Sequence, residues 1–105
     1  MNVLLGACVP RPLRKFLPGH TVRAAQEMGW GRLTNGALLK EAESQFDVFV
    51  TTDQNLKYQQ QVAGRKLAIL VLPTNDWAMV RSKAAEIAAA VETSMPGDFV
   101  ELTWV

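Results

Sequence analysis

Short runs of consecutive apolar residues constrain the fold of this chain more than any other feature of its sequence. Residues 67–72 read Leu-Ala-Ile-Leu-Val-Leu between Lys66 and Pro73, and residues 48–50 read Val-Phe-Val. A strand that is apolar at every position has both faces buried, which is typical of a central strand in a parallel sheet. The sequence therefore predicts helices on both faces of such a sheet, because crossover helices are what cover them.

Strand-like and helix-like segments alternate along the rest of the chain, with short connections. The helix-like segments carry apolar residues at steps of three and four, as at Leu38, Leu39, Ala42 and Phe46. The predicted strands lie near residues 3–8, 20–24, 47–51, 67–72 and 99–104. We expect an α/β fold in a single domain over residues 1–105: a three-layer sandwich with a mainly parallel sheet of four or five strands, flanked by helices.

Turn and cap residues set the expected ends of the helices. Asn35 has the position of an N-cap, and a later helix is expected to close at Gly64. The last helix is expected to start after Asp76, as its N-cap, and to end at Pro96-Gly97. Its apolar face carries Trp77, Val80, Ala84, Ile87 and Val91.

Composition and charge exclude several classes of protein. The net charge of +1 excludes a broad basic surface for nucleic acid or anionic membrane, so any contact with nucleic acid has to be local. No apolar run approaches the roughly 18 residues of a membrane span, and no basic segment precedes an apolar core at the N-terminus. Cys8 is the only cysteine. It excludes an intrachain disulfide, and we expect it to be buried in a cytoplasmic protein.

Asp53 is the strongest candidate for chemistry. It follows the apolar run and two threonines, so it lies at the carboxyl end of a predicted buried strand. Open α/β sheets keep their ligand crevice at that end of the strands. An equally economical interpretation is that Asp53 only caps the helix that follows. Asp76 also follows a strand, and its role as a helix cap is favoured over a role in chemistry.

Several segments together resemble the small PIN-like domains that are related to the toxin nucleases of bacterial toxin–antitoxin systems. The resemblance covers nearly the whole chain, and the order and spacing of the segments carry it. The matching segments are Leu4-Leu5 through Val9-Pro10-Arg11, Pro18-Gly19-His20, Glu27-Met28-Gly29-Trp30, Asn35-Gly36, Val50 through Leu56 by way of Thr51-Thr52-Asp53-Gln54-Asn55, and Leu70-Val71-Leu72.

The resemblance implies a metal-dependent ribonuclease that binds Mg²⁺ or Mn²⁺ through carboxylates, because hard cations prefer oxygen ligands. Asp53 would be the catalytic metal ligand. Asn35 and Asn55 would offer weaker neutral oxygens, and Arg11 and Lys57 would contact RNA phosphates at the rim of the site. The resemblance also implies a homodimer and a small antitoxin partner.

The chain departs from the pattern of that family where its first strand ends. The family has an acidic residue at the position of Gly6, often with a second at Ala7, and another is common near Ala37. Of the usual acidic set, Asp53 alone remains. We therefore expect poor Mg²⁺ binding and impaired RNA cleavage. The alternative is a catalytically inactive PIN-like binding module that acts through protein or RNA contacts.

Overall fold

Five parallel strands form one sheet at the centre of the molecule. The computed structural model describes residues 1–59 and 65–104. The strands are β1 (Asn2–Leu5), β2 (Thr21–Ala24), β3 (Val48–Thr51), β4 (Ala68–Val71) and β5 (Phe99–Glu101), and they lie in the order β2-β1-β3-β4-β5. A 3₁₀ helix (Arg11–Phe16) and four α-helices connect them: α1 (Asn35–Glu43), α2 (Leu56–Gln59), α3 (Trp77–Ser82) and α4 (Ala84–Thr93). The predicted α/β sandwich is confirmed.

Alternate residues of each central strand enter two separate apolar cores. Val3 and Leu5 of β1 belong to the first core, whereas Leu4 between them belongs to the second. The first core contains side chains of the 3₁₀ helix, α3 and α4, and the second contains side chains of α1 and α2. Because strand side chains point alternately to the two faces, the continuous apolar runs bury both faces of the sheet.

The strand order creates one break in the direction of the connections. β1 pairs with β2 on one side and with β3 on the other, and both pairings are parallel. The chain therefore leaves β1 toward one edge of the sheet and then returns past it to build the opposite edge. Connections that diverge in this way leave a crevice beyond the carboxyl ends of the two central strands, between β1 and β3.

All five strands are shorter than the sequence predicts, and β1 and β5 end furthest before the predicted residue. β1 ends at Leu5 because the chain turns there, although Gly6 N–H still donates to Val50 O at 2.8 Å and Val9 N–H donates back to Gly6 O at 3.0 Å. β5 ends at Glu101, and Trp104 leaves the sheet edge to pack against the first core. The expected position of this last strand at the sheet edge is confirmed.

Two expectations about helix ends are wrong, and the expected N-cap position of Asp76 is confirmed. Thr34, not Asn35, is the N-cap of α1, and its hydroxyl accepts a hydrogen bond from Ala37 N–H at 3.3 Å. The predicted long last helix is two helices, which meet at Lys83, where the backbone leaves helical geometry. Asp76 has the N-cap position of α3, but its side chain makes no capping bond. The expected helix end at Gly64 lies outside the described residues.

Within residues 1–59 and 65–104, no helix combines the length and the apolar character that crossing a membrane requires. The longest described helix is α4, with 10 residues. Its buried side chains, such as Ile87 and Val91, face the first core. The buried apolar side chains of α4 therefore pack against the sheet.

Truncation of Leu70 in β4 is expected to destabilise the fold strongly. Leu70 is 1% exposed, whereas Leu33 is 39% exposed, so the same Leu→Ala change at the two positions separates core packing from surface effects. We expect Leu70→Ala to lower the free energy of unfolding by about 2–5 kcal/mol, and Leu33→Ala by about 0.5 kcal/mol. Urea denaturation followed by circular dichroism measures both. Equal losses for the two variants would contradict the core assigned to β4.

Candidate functional site

A cleft of about 480 Å³ opens beyond the carboxyl ends of β1 and β3, at the break in the strand order. One wall comes from the turn after β1, a second from the segment that leads into α1, and the floor from the end of β3. The lining residues are Gly6, Ala7, Cys8, Trp30, Gly31, Leu33, Asn35, Leu38, Phe49, Thr51, Thr52, Asp53, Gln54 and Asn55. Asp53, Asn35 and Asn55, which the sequence selects as site residues, lie together there.

Asp53 is the single acidic side chain in this lining, and two hydrogen bonds hold it. The Asn35 side-chain amide donates to Asp53 Oδ2 at 2.8 Å, and the Asn55 backbone N–H donates to Asp53 Oδ1 at 2.9 Å. The contact with Asn55 is the kind of local bond that starts a turn before a helix. The two interpretations of Asp53 are therefore compatible, because the carboxylate orders the turn before α2 and also faces the cleft.

The correction at the start of α1 explains why Asn35 can reach Asp53. Since Thr34 provides the capping oxygen, the Asn35 side chain is not needed at the helix terminus. It extends instead across the cleft from the first residue of α1 to the loop after β3. The sequence singles out Asn35, but the role it predicts, that of an N-cap, belongs to its neighbour.

The turn after β1 forms the opposite wall of the cleft and carries no charge. Gly6 is buried and has no side chain, so the ring edge of Phe49 lies directly beneath it: a Cβ atom at Gly6 would be 3.4 Å from Cε1 and Cζ of Phe49. Ala7 and Cys8 are exposed. The expectation that Cys8 is buried is wrong, because the turn that ends β1 directs it outward.

The donor set of the cleft does not fit a resident Mg²⁺ or Mn²⁺ ion. In the part of the chain that the structure describes, no three His, Cys, Asp or Glu side chains come together as a metal site. Asp53 alone brings a negative charge, and the Asn35 amide nitrogen is committed to it. One carboxylate with amide and hydroxyl neighbours is a poor competitor for a strongly hydrated cation.

Arg11 lies outside the cleft, in a shallow surface groove on the 3₁₀ helix that Pro12, Arg14, Lys15 and Glu27 also line. Glu27 accepts a hydrogen bond from Ala24 N–H and forms an ion pair with Arg14. The backbone bond and the guanidinium hold the pKa of Glu27 below its usual range. Arg14 is therefore largely neutralised, and Arg11 and Lys15 carry the positive charge of this groove.

Lys57 also lies outside the lining of the cleft. Its ammonium group forms an ion pair with Glu101 at 2.8 Å, and this hydrogen bond raises the pKa of Lys57. It also lies 5.1 Å from the ring centre of Tyr58, an exposed side chain. Lys57 thus connects α2 to β5, and a phosphate group would have to compete with Glu101 for it.

The sequence pattern does not mark the aromatic and apolar walls of the cleft as part of a site. Trp30 lines the cleft and makes an edge contact with Phe46, with ring centres 6.0 Å apart. Phe49 and Leu38 look like ordinary core residues in the sequence, and they are also buried in the second core. The glycines on either side of Trp30 mark a turn, which is the sequence feature that could have placed this ring near a binding edge.

No protein-family model, curated protein or solved structure matches this chain.

The variant Asn35→Asp tests how much the hydrogen bond between Asn35 and Asp53 contributes to stability. In Asn35→Asp the donor to Asp53 becomes a like charge, so we expect a loss of roughly 1–3 kcal/mol of stability at neutral pH. Because close carboxylates raise each other's pKa, the folded variant should bind protons more readily than the unfolded chain, and the loss should shrink as the pH falls.

The matched control is Asn55→Asp. It adds the same charge to the same cleft but keeps the backbone N–H that contacts Asp53. Urea denaturation of both variants between about pH 4 and pH 7 measures the difference. Equal losses that do not depend on pH would show that the Asn35 amide contributes nothing at Asp53.

Proposed function

We propose that this chain is a PIN-like domain related to the metal-dependent ribonuclease toxins of toxin–antitoxin systems, with nuclease activity impaired by loss of its cation ligands. The observation that carries the proposal is the composition of the two walls of the cleft. Asp53 stands at the end of β3, and Gly6 and Ala7 stand at the end of β1, where the resemblance expects carboxylates. The acidic set that the resemblance implies is therefore reduced to Asp53, since the segment near Ala37 carries no carboxylate either.

The chemistry of such a site depends on the number of carboxylates. When bound, the cation would make a water molecule nucleophilic and stabilise the charge that develops during phosphoryl transfer. With one carboxylate remaining, most of the ligands would have to be water or substrate phosphate. Without the cation, Asp53 repels the phosphate backbone of RNA. Slow or absent cleavage follows from both effects.

A second candidate is a binding module without nuclease activity. The observation that favours it is the pair of hydrogen bonds from Asn35 and Asn55 to Asp53, which orders the carboxylate without a cation. Carboxylates gathered for a metal repel one another when it is absent, whereas this one has neutral partners. A cleft ordered in this way supports recognition of a ligand as well as it supports residual catalysis.

The other proposed properties follow from the resemblance. We propose a cytoplasmic protein that forms a homodimer and binds a small antitoxin. Exposed apolar side chains supply surface for such contacts, among them Phe16, Met79 and Val100. Val100 lies on β5, whose outer edge pairs with no other strand among the described residues.

The test of the proposed function is a comparison of RNA cleavage by three proteins in Mg²⁺ or Mn²⁺. They are the chain as it stands, the variant Gly6→Asp with Ala7→Glu, and that double variant with Asp53→Ala. The backbone at Gly6 is not left-handed, but a Cβ atom there would lie 3.3 Å from Val50 O, so the adjacent backbone has to shift by a few tenths of an ångström to admit the new side chain. We expect cleavage by the double variant alone, and we expect a chelator to abolish it.

The affinity for Mn²⁺ is a second measurement, and it does not depend on the choice of RNA. We expect the double variant to bind Mn²⁺ at least about tenfold more tightly than the chain as it stands, because loss of even an outer-shell partner costs that much. Isothermal titration calorimetry measures this ratio. Robust, chelator-sensitive cleavage by the unmodified chain would contradict the proposal that its nuclease activity is impaired. Unchanged Mn²⁺ affinity in the double variant would contradict the proposal that the cleft derives from a metal site.

The homodimer is tested by multi-angle light scattering at micromolar concentration, with the mass of two chains as the expected result. Val100→Lys, on β5, is expected to lower the mass toward that of one chain, because a buried lysine is costly at an interface. Thr103→Lys adds the same charge at another exposed position near this edge and serves as the control. A monomer mass for the unmodified chain would contradict the dimer.

A further inference from the structure

The cleft presents a pair of hydrogen-bond acceptors to solvent. Among residues 1–59 and 65–104, each oxygen of Asp53 accepts one hydrogen bond, Oδ2 from Asn35 and Oδ1 from Asn55. A carboxylate has about four positions for donors, so roughly one remains on each oxygen. Within the described part of the chain, Asp53 forms no ion pair. The natural complement of this carboxylate is a group that offers two parallel N–H donors.

The carbonyl groups around Asp53 are already engaged. Gly6 O accepts from Val9 N–H, and Ala7 O accepts from the side chain of Gln26. On the other wall, Thr51 O accepts from Leu72 N–H, and Thr52 O accepts from the side chain of Gln54. The other acceptors in the lining are neutral amide and hydroxyl oxygens, so the two oxygens of Asp53 are the strongest acceptors of the cleft. The cleft matches a ligand with two donors.

The remaining walls of the cleft are apolar. Trp30, Leu33, Leu38 and Phe49 line it; Trp30 is partly exposed and Leu33 is exposed, whereas Leu38 and Phe49 are almost fully buried beneath them. Planar bases are recognised by proteins through contact with aromatic side chains and hydrogen bonds to the Watson–Crick edge. The cleft combines both elements, because the acceptor pair of Asp53 lies in the same lining as the apolar walls.

We propose that the cleft binds a guanine base, with the guanine N1–H and N2–H groups donating to the two oxygens of Asp53. Guanine is the one common base whose Watson–Crick edge has two adjacent donors; adenine, cytosine and uracil each place an acceptor beside a donor. The amide side chain of Asn55 and the hydroxyl of Thr52 line the same cleft and can serve the acceptors of the base. This inference rests on the proposed relation to RNA-binding domains and names the base that the impaired cleft selects.

Nucleosides without phosphate test this proposal directly on the unmodified chain, in buffer that contains a chelator. Guanosine, inosine and adenosine are titrated while the indole N–H resonance of Trp30 and the side-chain amide of Asn35 are followed by NMR. Inosine differs from guanosine by loss of the N2 amino group alone. We expect guanosine to bind at least roughly tenfold more tightly than inosine, because one hydrogen bond to a charged acceptor is lost.

The variant Asp53→Asn is expected to change the base preference of the cleft. A variant that failed to fold would lose all binding and so could not imitate this result. An asparagine offers one acceptor and one donor, so it should lose guanosine and gain xanthosine, which carries an oxygen in place of the N2 amino group. Asp76→Asn makes the same change at an exposed carboxylate after β4 that does not line the cleft. This control should keep the preference for guanosine unchanged.

Three results would overturn the proposal: equal affinity for guanosine and inosine, no binding of guanosine, or tighter binding of agmatine, whose guanidinium would mark the cleft as a cation site. Each of these is independent of cleavage by the Gly6→Asp, Ala7→Glu variant. If that variant cleaves RNA and the unmodified chain ignores guanosine, then the proposed function stands and the assignment of guanine fails. The opposite pair of results would leave a guanine-binding cleft without a nuclease origin.

Discussion

Burial of the three central strands on both faces is the constraint on which the rest of this structure depends. Every residue of β1, β3 and β4 except Asn2 is buried, so helices must cover each side of the sheet. Covering both sides of a parallel sheet with short connections requires crossovers of one hand, and these bring the carboxyl ends of the strands to one rim. The position of the cleft is thus a consequence of the buried apolar strands at the centre of the sheet.

The hydrogen bond between Asn35 and Asp53 joins two elements that the sheet alone would leave independent. Asn35 begins α1, which packs in the second core, and Asp53 follows β3 at the centre of the sheet. A displacement of α1 would therefore break a bond to the single carboxylate of the cleft. The shape of the cleft and the orientation of its charged group are coupled through this one contact.

The sequence is informative where burial decides the structure and much less so where individual hydrogen bonds do. Unbroken apolar runs such as residues 67–72 predicted the central strands β1, β3 and β4, because a strand buried on both faces is apolar at successive positions. The edge strands β2 and β5 carry polar positions and were predicted from a weaker pattern. The choice between Thr34 and Asn35 as the N-cap of α1 was beyond prediction, since both residue types cap helices and the outcome depends on a partner 18 residues away. The break at Lys83 was hidden for a similar reason, because Val80, Ala84 and Ile87 remain buried on both sides of it. Asp53 was found from its position at a strand end, whereas the apolar walls around it resemble ordinary core.

The exposed turn after β1 makes the cleft accessible to site-specific chemistry. Cys8 is the single thiol of the chain, it is exposed, and it lies in the same lining as Asp53. A maleimide dye or a spin label would therefore attach at one position, beside the cleft and away from both apolar cores. The protein carries a ready-made attachment point for a reporter of whatever enters the space between β1 and β3, without any change to its sequence.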